Sequence, residues 1–163
     1  MCYNNGSGVG RDESLAVEWY RKAAEQGNEY AQFNLGRCLK NGLGVGKDEG
    51  QAVQWYRKAA ERGNADAQRD LGWCYRDGSG VAEDEQLAVQ WYRKAAEQGD
   101  AMAQNNLGML YEEGRGVAKD EQRAAQWYLK AAEQGYSDAQ CNIGLCYENG
   151  RGVGNDEAYA VLW

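Results

Sequence analysis

The sequence predicts an all-α solenoid of stacked helix pairs, and three regularities carry that prediction. Trp19, Trp55, Trp91, Trp127 and Trp163 stand 36 residues apart. Val9, Val45, Val81, Val117 and Val153 keep the same interval, each closing a Gly-x-Gly-Val, and Asp12, Asp48, Asp84, Asp120 and Asp156 follow three residues later. The nonapeptide WYRKAAEQG at 19–27 returns unchanged at 91–99, and with one substitution at 55–63 and at 127–135. Self-similarity at a fixed period marks supersecondary units that bury their apolar faces on one another rather than in one globule.

Each copy reads as two helices. The first covers 29–41, where Ala31, Gln32, Leu35, Gly36 and Leu39 space small or apolar residues by three and four, as an amphipathic helix requires. Gly42-Leu43-Gly44-Val45 then breaks it, because glycine tolerates the left-handed conformation that commonly ends a helix. Asp48 is placed to cap the second helix, and Glu49 adds charge that suits the helix dipole. That helix runs to about Glu61, with Ala52, Tyr56 and Ala59 on one face, and Gly63 stops it. Asn64 caps the next unit, as Asn28 and Asp100 cap theirs; Tyr136 departs from this pattern, and Ser137 is the expected substitute.

The nonapeptide is structural on this reading. Tyr20 fills the gap between helices, Ala23 and Ala24 let a neighbouring backbone come close, and Trp19 seals the seam towards the adjoining helix or the Val9 loop. Arg21, Lys22 and Glu25 are expected in solvent, and Gly27 terminates the helix. A Trp-Tyr ligand box is the sharper alternative, but the motif is copied in every repeat, which suits packing better.

Composition excludes several classes of function. The 163-residue chain has 18 Lys and Arg against 25 Asp and Glu, a net charge of −7. Nucleic-acid binding, which rests largely on basic residues neutralising phosphates, is not expected. No apolar run approaches a membrane span, and MCYNNGSGVG is not a signal peptide. Histidine is absent, which removes the commonest general base and metal ligand, and the few serines have no base nearby. Gly-x-Gly-Val-x-x-Asp-Glu offers too few oxygens for calcium, and its Asp would repel a phosphate. No catalytic residue, metal or cofactor is implied.

Cys2, Cys38, Cys74 and Cys146 share one register position, which Leu110 fills in the remaining copy, so the site reads as apolar packing. Helices stacked about 8–10 Å apart are too distant for a disulfide ladder. Reduced thiols and the lack of a leader favour a cytoplasmic setting.

The motifs Gly-x-Gly-Val-x-x-Asp, Ala-x-x-Trp-Tyr-x-Lys-Ala-Ala-x-x-Gly and Ala-Gln-x-x-Leu-Gly-x-x-Tyr together resemble the Sel1-like repeat, a 36-residue relative of the tetratricopeptide repeat. The resemblance covers essentially the whole chain; Leu39 for Tyr, Ile143 for Leu and Arg62 for Gln are its departures. It implies a right-handed α/α superhelical solenoid of antiparallel helix pairs and adaptor work in protein complexes. The chain divides into a partial unit 1–27, full units at about 28–63, 64–99 and 100–135, and a truncated unit 136–163. Without polar capping helices at its ends, it is expected to belong to a longer array.

In such an array the constant positions hold the stack and the varying ones are free to read a partner. By resemblance to the tetratricopeptide arrangement, five positions of each first helix face a concave side. They are Tyr30, Phe33, Arg37, Lys40 and Asn41; then Asp66, Arg69, Trp73, Arg76 and Asp77; then Met102, Asn105, Met109, Glu112 and Glu113; then Asp138, Cys141, Leu145, Glu148 and Asn149. Trp73 is the only Trp out of register, Phe33 the only Phe, and Met102 and Met109 the only Met besides Met1. Aromatics, Met and Arg are enriched at interface centres. Arg37, Lys40, Arg69 and Arg76 come early, whereas Glu112, Glu113 and Glu148 come late. The expectation is a groove with an apolar floor, basic then acidic, that binds a peptide or helix of a partner protein. The alternatives are a spacer or regulatory arm of a larger protein and, more remotely, a hydrolase.

Overall fold

The computed structural model describes residues 12–153. Cys2, Val9, Asp156, Trp163 and the end portions of the first and last copies lie outside the described residues. Those described form eight α-helices of equal length and no strand. In chain order they are α1 (Glu13–Glu25), α2 (Glu29–Asn41), α3 (Glu49–Glu61), α4 (Ala65–Asp77), α5 (Glu85–Glu97), α6 (Ala101–Glu113), α7 (Glu121–Glu133) and α8 (Ser137–Asn149). The chain divides into two compact units, residues 1–83 with α1–α4 and residues 84–163 with α5–α8.

The helix boundaries follow from local chemistry. Asp12, Asp48, Asp84 and Asp120 each accept a hydrogen bond from the backbone amide three residues on, at 2.8–3.0 Å, and so start the odd-numbered helices. Asn28, Asn64 and Asp100 do the same for α2, α4 and α6. The start of α8 differs from the sequence expectation. Tyr136 takes the cap position without a side-chain capping bond, and Ser137 is already helical. The Tyr136 phenol instead meets Asp138 at 3.1 Å. Gly42, Gly78, Gly114 and Gly150 end the even-numbered helices in the left-handed conformation.

In the first unit the core is built on Leu35, Leu39, Val53, Tyr56, Leu71 and the paired alanines Ala59 and Ala60, all buried. Gly36 explains itself against Tyr56: a Cβ there would lie 2.7 Å from the ring. The second unit repeats the arrangement with Leu107, Leu110, Tyr128 and Ile143, and Gly108 lies under the Tyr128 ring. Cys38, Cys74 and Cys146 are buried and unpaired at the position that Leu110 also fills. Trp19 is about half exposed and Trp55, Trp91 and Trp127 are partly buried. Each has the lysine three residues on, Lys22, Lys58, Lys94 and Lys130, laid over its ring at 4.0–4.5 Å.

Two recurrent contacts tie one copy to the one before it. Gln32, Gln68 and Gln104, from the Ala-Gln dipeptides, are buried and donate to the carbonyls of Ala24, Ala60 and Ala96 at 3.0–3.1 Å. This satisfies a carbonyl near the end of the preceding helix. In each of the four described Gly-x-Gly-Val loops the second glycine lies against the backbone of an earlier helix start. A Cβ on Gly44 would come within 2.3 Å of the Glu13 carbonyl, on Gly80 within 2.2 Å of Glu49, on Gly116 within 2.2 Å of Glu85, and on Gly152 within 2.0 Å of Glu121. The loop is therefore a latch as well as a helix breaker. In the second unit Arg115 reinforces it with an ion pair to Glu85 at 2.6 Å.

Candidate partner-binding surfaces

In the first unit, α2 carries Tyr30, Phe33, Arg37 and Lys40 at spacings of three and four, and α4 carries Asp66, Arg69, Trp73 and Arg76 at the same spacings. Helical periodicity puts each set on one face. The two faces meet where the Lys40 ammonium lies 3.6 Å from the centre of the Trp73 ring. Tyr30 is 59% exposed, Arg37 and Asp66 are exposed, and Lys40, Arg69, Trp73 and Arg76 are partly buried.

Phe33 departs from its expected place on the floor of an open groove. It is buried, with its ring centre 5.9 Å from that of Tyr56 and the Arg37 guanidinium over it. Turning the ring towards Tyr56 removes more apolar surface from water than presenting it outward. Phe33 thus belongs to the core of the unit.

The early cations are also less uniform than their order in the sequence suggests. Arg69 pairs with Asp66 at 2.8 Å and Asp70 at 3.1 Å, and Arg76 pairs with Asp77 at 2.6 Å. Arg37 and Lys40 have no carboxylate partner among the described residues.

Asp70 was not singled out by sequence reasoning, although the repeats hold the signal. Its register position reads Asn34, Asp70, Asn106 and Asn142. Burial pushes the Asp70 carboxyl above the ordinary aspartate value, against the opposing pull of Arg69. The folded state therefore holds this proton more tightly than the unfolded chain. The associated stability is present below the unfolded value and is lost as pH rises through the folded one. Asp70→Asn is expected to raise the melting temperature at pH 7. Thermal melts should show that advantage shrinking as pH falls towards about 4, where the unfolded carboxyl takes up its proton.

In the second unit, Met102 and Leu145 are 44% and 41% exposed, and Met109 is partly buried. Asn105 is buried, accepts from the Asn142 amide at 2.9 Å and donates to the Met109 sulfur at 3.8 Å. Glu112 accepts from the Tyr128 hydroxyl at 2.8 Å and from Arg151 at 2.6 Å. Glu113 lies 3.6 Å from Arg115. The late acids are thus partly matched, as the early cations are.

Burial pushes the Cys74 and Cys146 thiols up to about 11, far from the thiolate that attacks a substrate or a metal. Among the described residues no cluster of three potential metal ligands occurs, and no helix is long and apolar enough to cross a membrane.

Helix pairs of fixed length, latched copy to copy, with variable residues on the first helix of each pair, define an α/α helical-repeat protein. The Sel1 repeat model matches at residues 1–28, 29–64, 65–100, 101–136 and 137–163, and the chain belongs to the Sel1 repeat family. This family commonly supplies protein-interaction modules, and its fold is typically a non-catalytic scaffold.

A protective antigen of uropathogenic Escherichia coli strains, c5321, displays the same SLR fold at 41% identity and a TM-score of 0.96, over 99% of this chain and 34% of that one. A Sel1 repeat protein from Oxalobacter formigenes matches at 42% identity and a TM-score of 0.94, over 99% and 64% of the two chains. Cysteine-rich protein B of Helicobacter pylori matches at 31% identity and a TM-score of 0.63, over 82% and 95%. The chain thus spans about a third of the first of these proteins and under two thirds of the second. Comparison with curated protein sequences gave no match.

Proposed function

We propose that this chain is a protein-interaction scaffold whose even-numbered helices bind a peptide or helical segment of a partner. One observation carries the reading: large apolar and aromatic side chains stay in solvent at several positions that vary between copies, while constant positions such as Leu71, Tyr56 and Ala59 are buried. Tyr30 in the first unit and Met102 and Leu145 in the second are the most exposed of them. Trp73, partly buried beside Lys40, adds an aromatic anchor of the kind that dominates interface energetics. Tyr30, Arg37, Lys40, Asp66, Arg69, Trp73 and Arg76 form the contact set of the first unit, and Met102, Met109, Glu112 and Leu145 that of the second. Phe33 supports the first set from beneath.

A displayed-peptide selection against the chain tests this, with a Tyr30→Ala, Trp73→Ala, Met102→Ala, Leu145→Ala variant for counter-selection. Peptides that bind only the unmodified chain are expected, while both proteins give the same helical circular dichroism. Equal recovery on both proteins, or no recovery on either, sinks the reading. If Trp73→Ala alone unfolds the protein, Trp73 is core and leaves the contact set.

A further inference from the structure

Two tyrosines of the Trp-Tyr pairs, Tyr56 in the first unit and Tyr128 in the second, end differently, and the difference points to a ligand. In the second unit the buried Tyr128 hydroxyl donates to the carboxylate of Glu112, which Arg151 also holds. The same hydrogen-bonding position in the first unit belongs to Tyr56, and the register counterpart of Glu112 is Lys40. Tyr56 is fully buried, and its hydroxyl has no hydrogen-bond partner among the described residues. A buried hydroxyl without an acceptor is costly, and most such groups in folded proteins have a partner. Lys40 lies over Trp73 instead, and Arg37, one turn earlier on α2, is exposed; neither has a carboxylate partner among the described residues. Tyr56 thus has two cations nearby on its unit but lacks the carboxylate that Glu112 supplies to Tyr128.

The geometry points to a site, formed by Arg37, Lys40, the Tyr56 hydroxyl and Trp73, that takes a glutamate or aspartate side chain of an acidic partner segment. This rests on the reading of the α2 and α4 faces as a partner-binding surface. The incoming carboxylate accepts from the Tyr56 hydroxyl as Glu112 accepts from Tyr128, while Arg37 and Lys40 neutralise it. Lys40 is a flexible side chain, so swinging from Trp73 to the carboxylate needs no backbone movement. An apolar neighbour in the segment then takes the exposed face of Trp73. Asp70, the first charged group to act on the Tyr56 hydroxyl, opposes a second carboxylate; its pairing with Arg69 at 3.1 Å moderates that repulsion. Charge-assisted hydrogen bonds of this kind are about twice as strong as neutral ones.

The test uses two fluorescein-labelled peptide pools of the same length, one mixing Glu with Leu and Phe, the other with Gln at every Glu. Anisotropy titrations with the whole chain are expected to give about tenfold tighter binding of the Glu pool. In Lys40→Glu, which installs the internal acceptor that Glu112 provides, that ratio should fall to about one. In Tyr56→Phe it should fall severalfold, with the melting temperature unchanged, because the hydroxyl removed has no partner to lose. Equal binding of both pools to the unmodified chain overturns the carboxylate site and leaves the contact surface standing. A Glu preference that survives both substitutions also overturns it. If neither pool binds, the surface reading itself fails and takes this inference with it.

Discussion

Gly116→Ala is expected to destabilise the second unit by about 3–5 kcal/mol, from two costs that add. Gly116 has φ +66°, a left-handed conformation that costs an alanine about 1–2 kcal/mol. Its Cβ would also lie 2.2 Å from the Glu85 carbonyl oxygen, and backbone cannot step aside as a flexible side chain can. Relieving that overlap means lifting the loop from the start of α5, which also strains the Arg115–Glu85 ion pair. Gly135→Ala is the control. Gly135 also has a positive φ, +84°, but its Cβ would meet nothing within 4 Å. It should therefore show only the conformational cost, about 1–2 kcal/mol. Urea melts of the two variants measure the difference. If both shift alike, the latch contributes nothing and only backbone conformation matters.

The second large effect is at Tyr128. Tyr128→Ala should cost about 3–5 kcal/mol, because a fully buried aromatic ring leaves a cavity that the surrounding helices only partly fill. Tyr128→Phe keeps the ring but takes a donor from the partly buried Glu112 carboxylate, which retains Arg151. About 1–3 kcal/mol is expected from that loss. Tyr56→Phe, in the same register position, should be close to neutral. Thermal denaturation of the three variants separates ring packing from hydroxyl bonding. Equal losses for the two Phe variants would show that the Glu112 bond adds no stability.

The helices were legible in the sequence because their determinants are local. Asp48 caps α3 and Gly42 ends α2 through contacts within a few residues, and the expected 29–41 span is the observed Glu29–Asn41. What escaped reading depends on contacts between helices, with residues from eight to about thirty positions away. Nothing in the dipeptide Ala-Gln says that the Gln32 amide will bond the Ala24 carbonyl rather than face water. The second glycine of Gly-x-Gly reads as a turn residue until Glu13 is found beneath Gly44. Phe33 was misplaced for the same reason: its register position also holds Arg69, Asn105 and Cys141, whose burial ranges from buried to exposed, so rotation about the helix does not fix its depth. The candidate surface was legible as a list of varying residues, but its charge balance was not. Arg76 and Asp77 are neighbours in sequence, whereas Arg151 reaches Glu112 across more than one repeat.

The glycine latch also bears on how such a chain changes over generations. Each copy carries both halves of the contact: a glycine that reaches back, as Gly80 does to Glu49, and a helix start that receives the next loop, as Glu85 receives Gly116. Recombination that inserts or removes one whole 36-residue copy therefore leaves every remaining latch with a matching half. An insertion of any other length inside a copy would strand one half. The same contact that stiffens the protein lets its gene lengthen or shorten in whole repeats, with varying surface residues added or lost at each step and no new interface to invent.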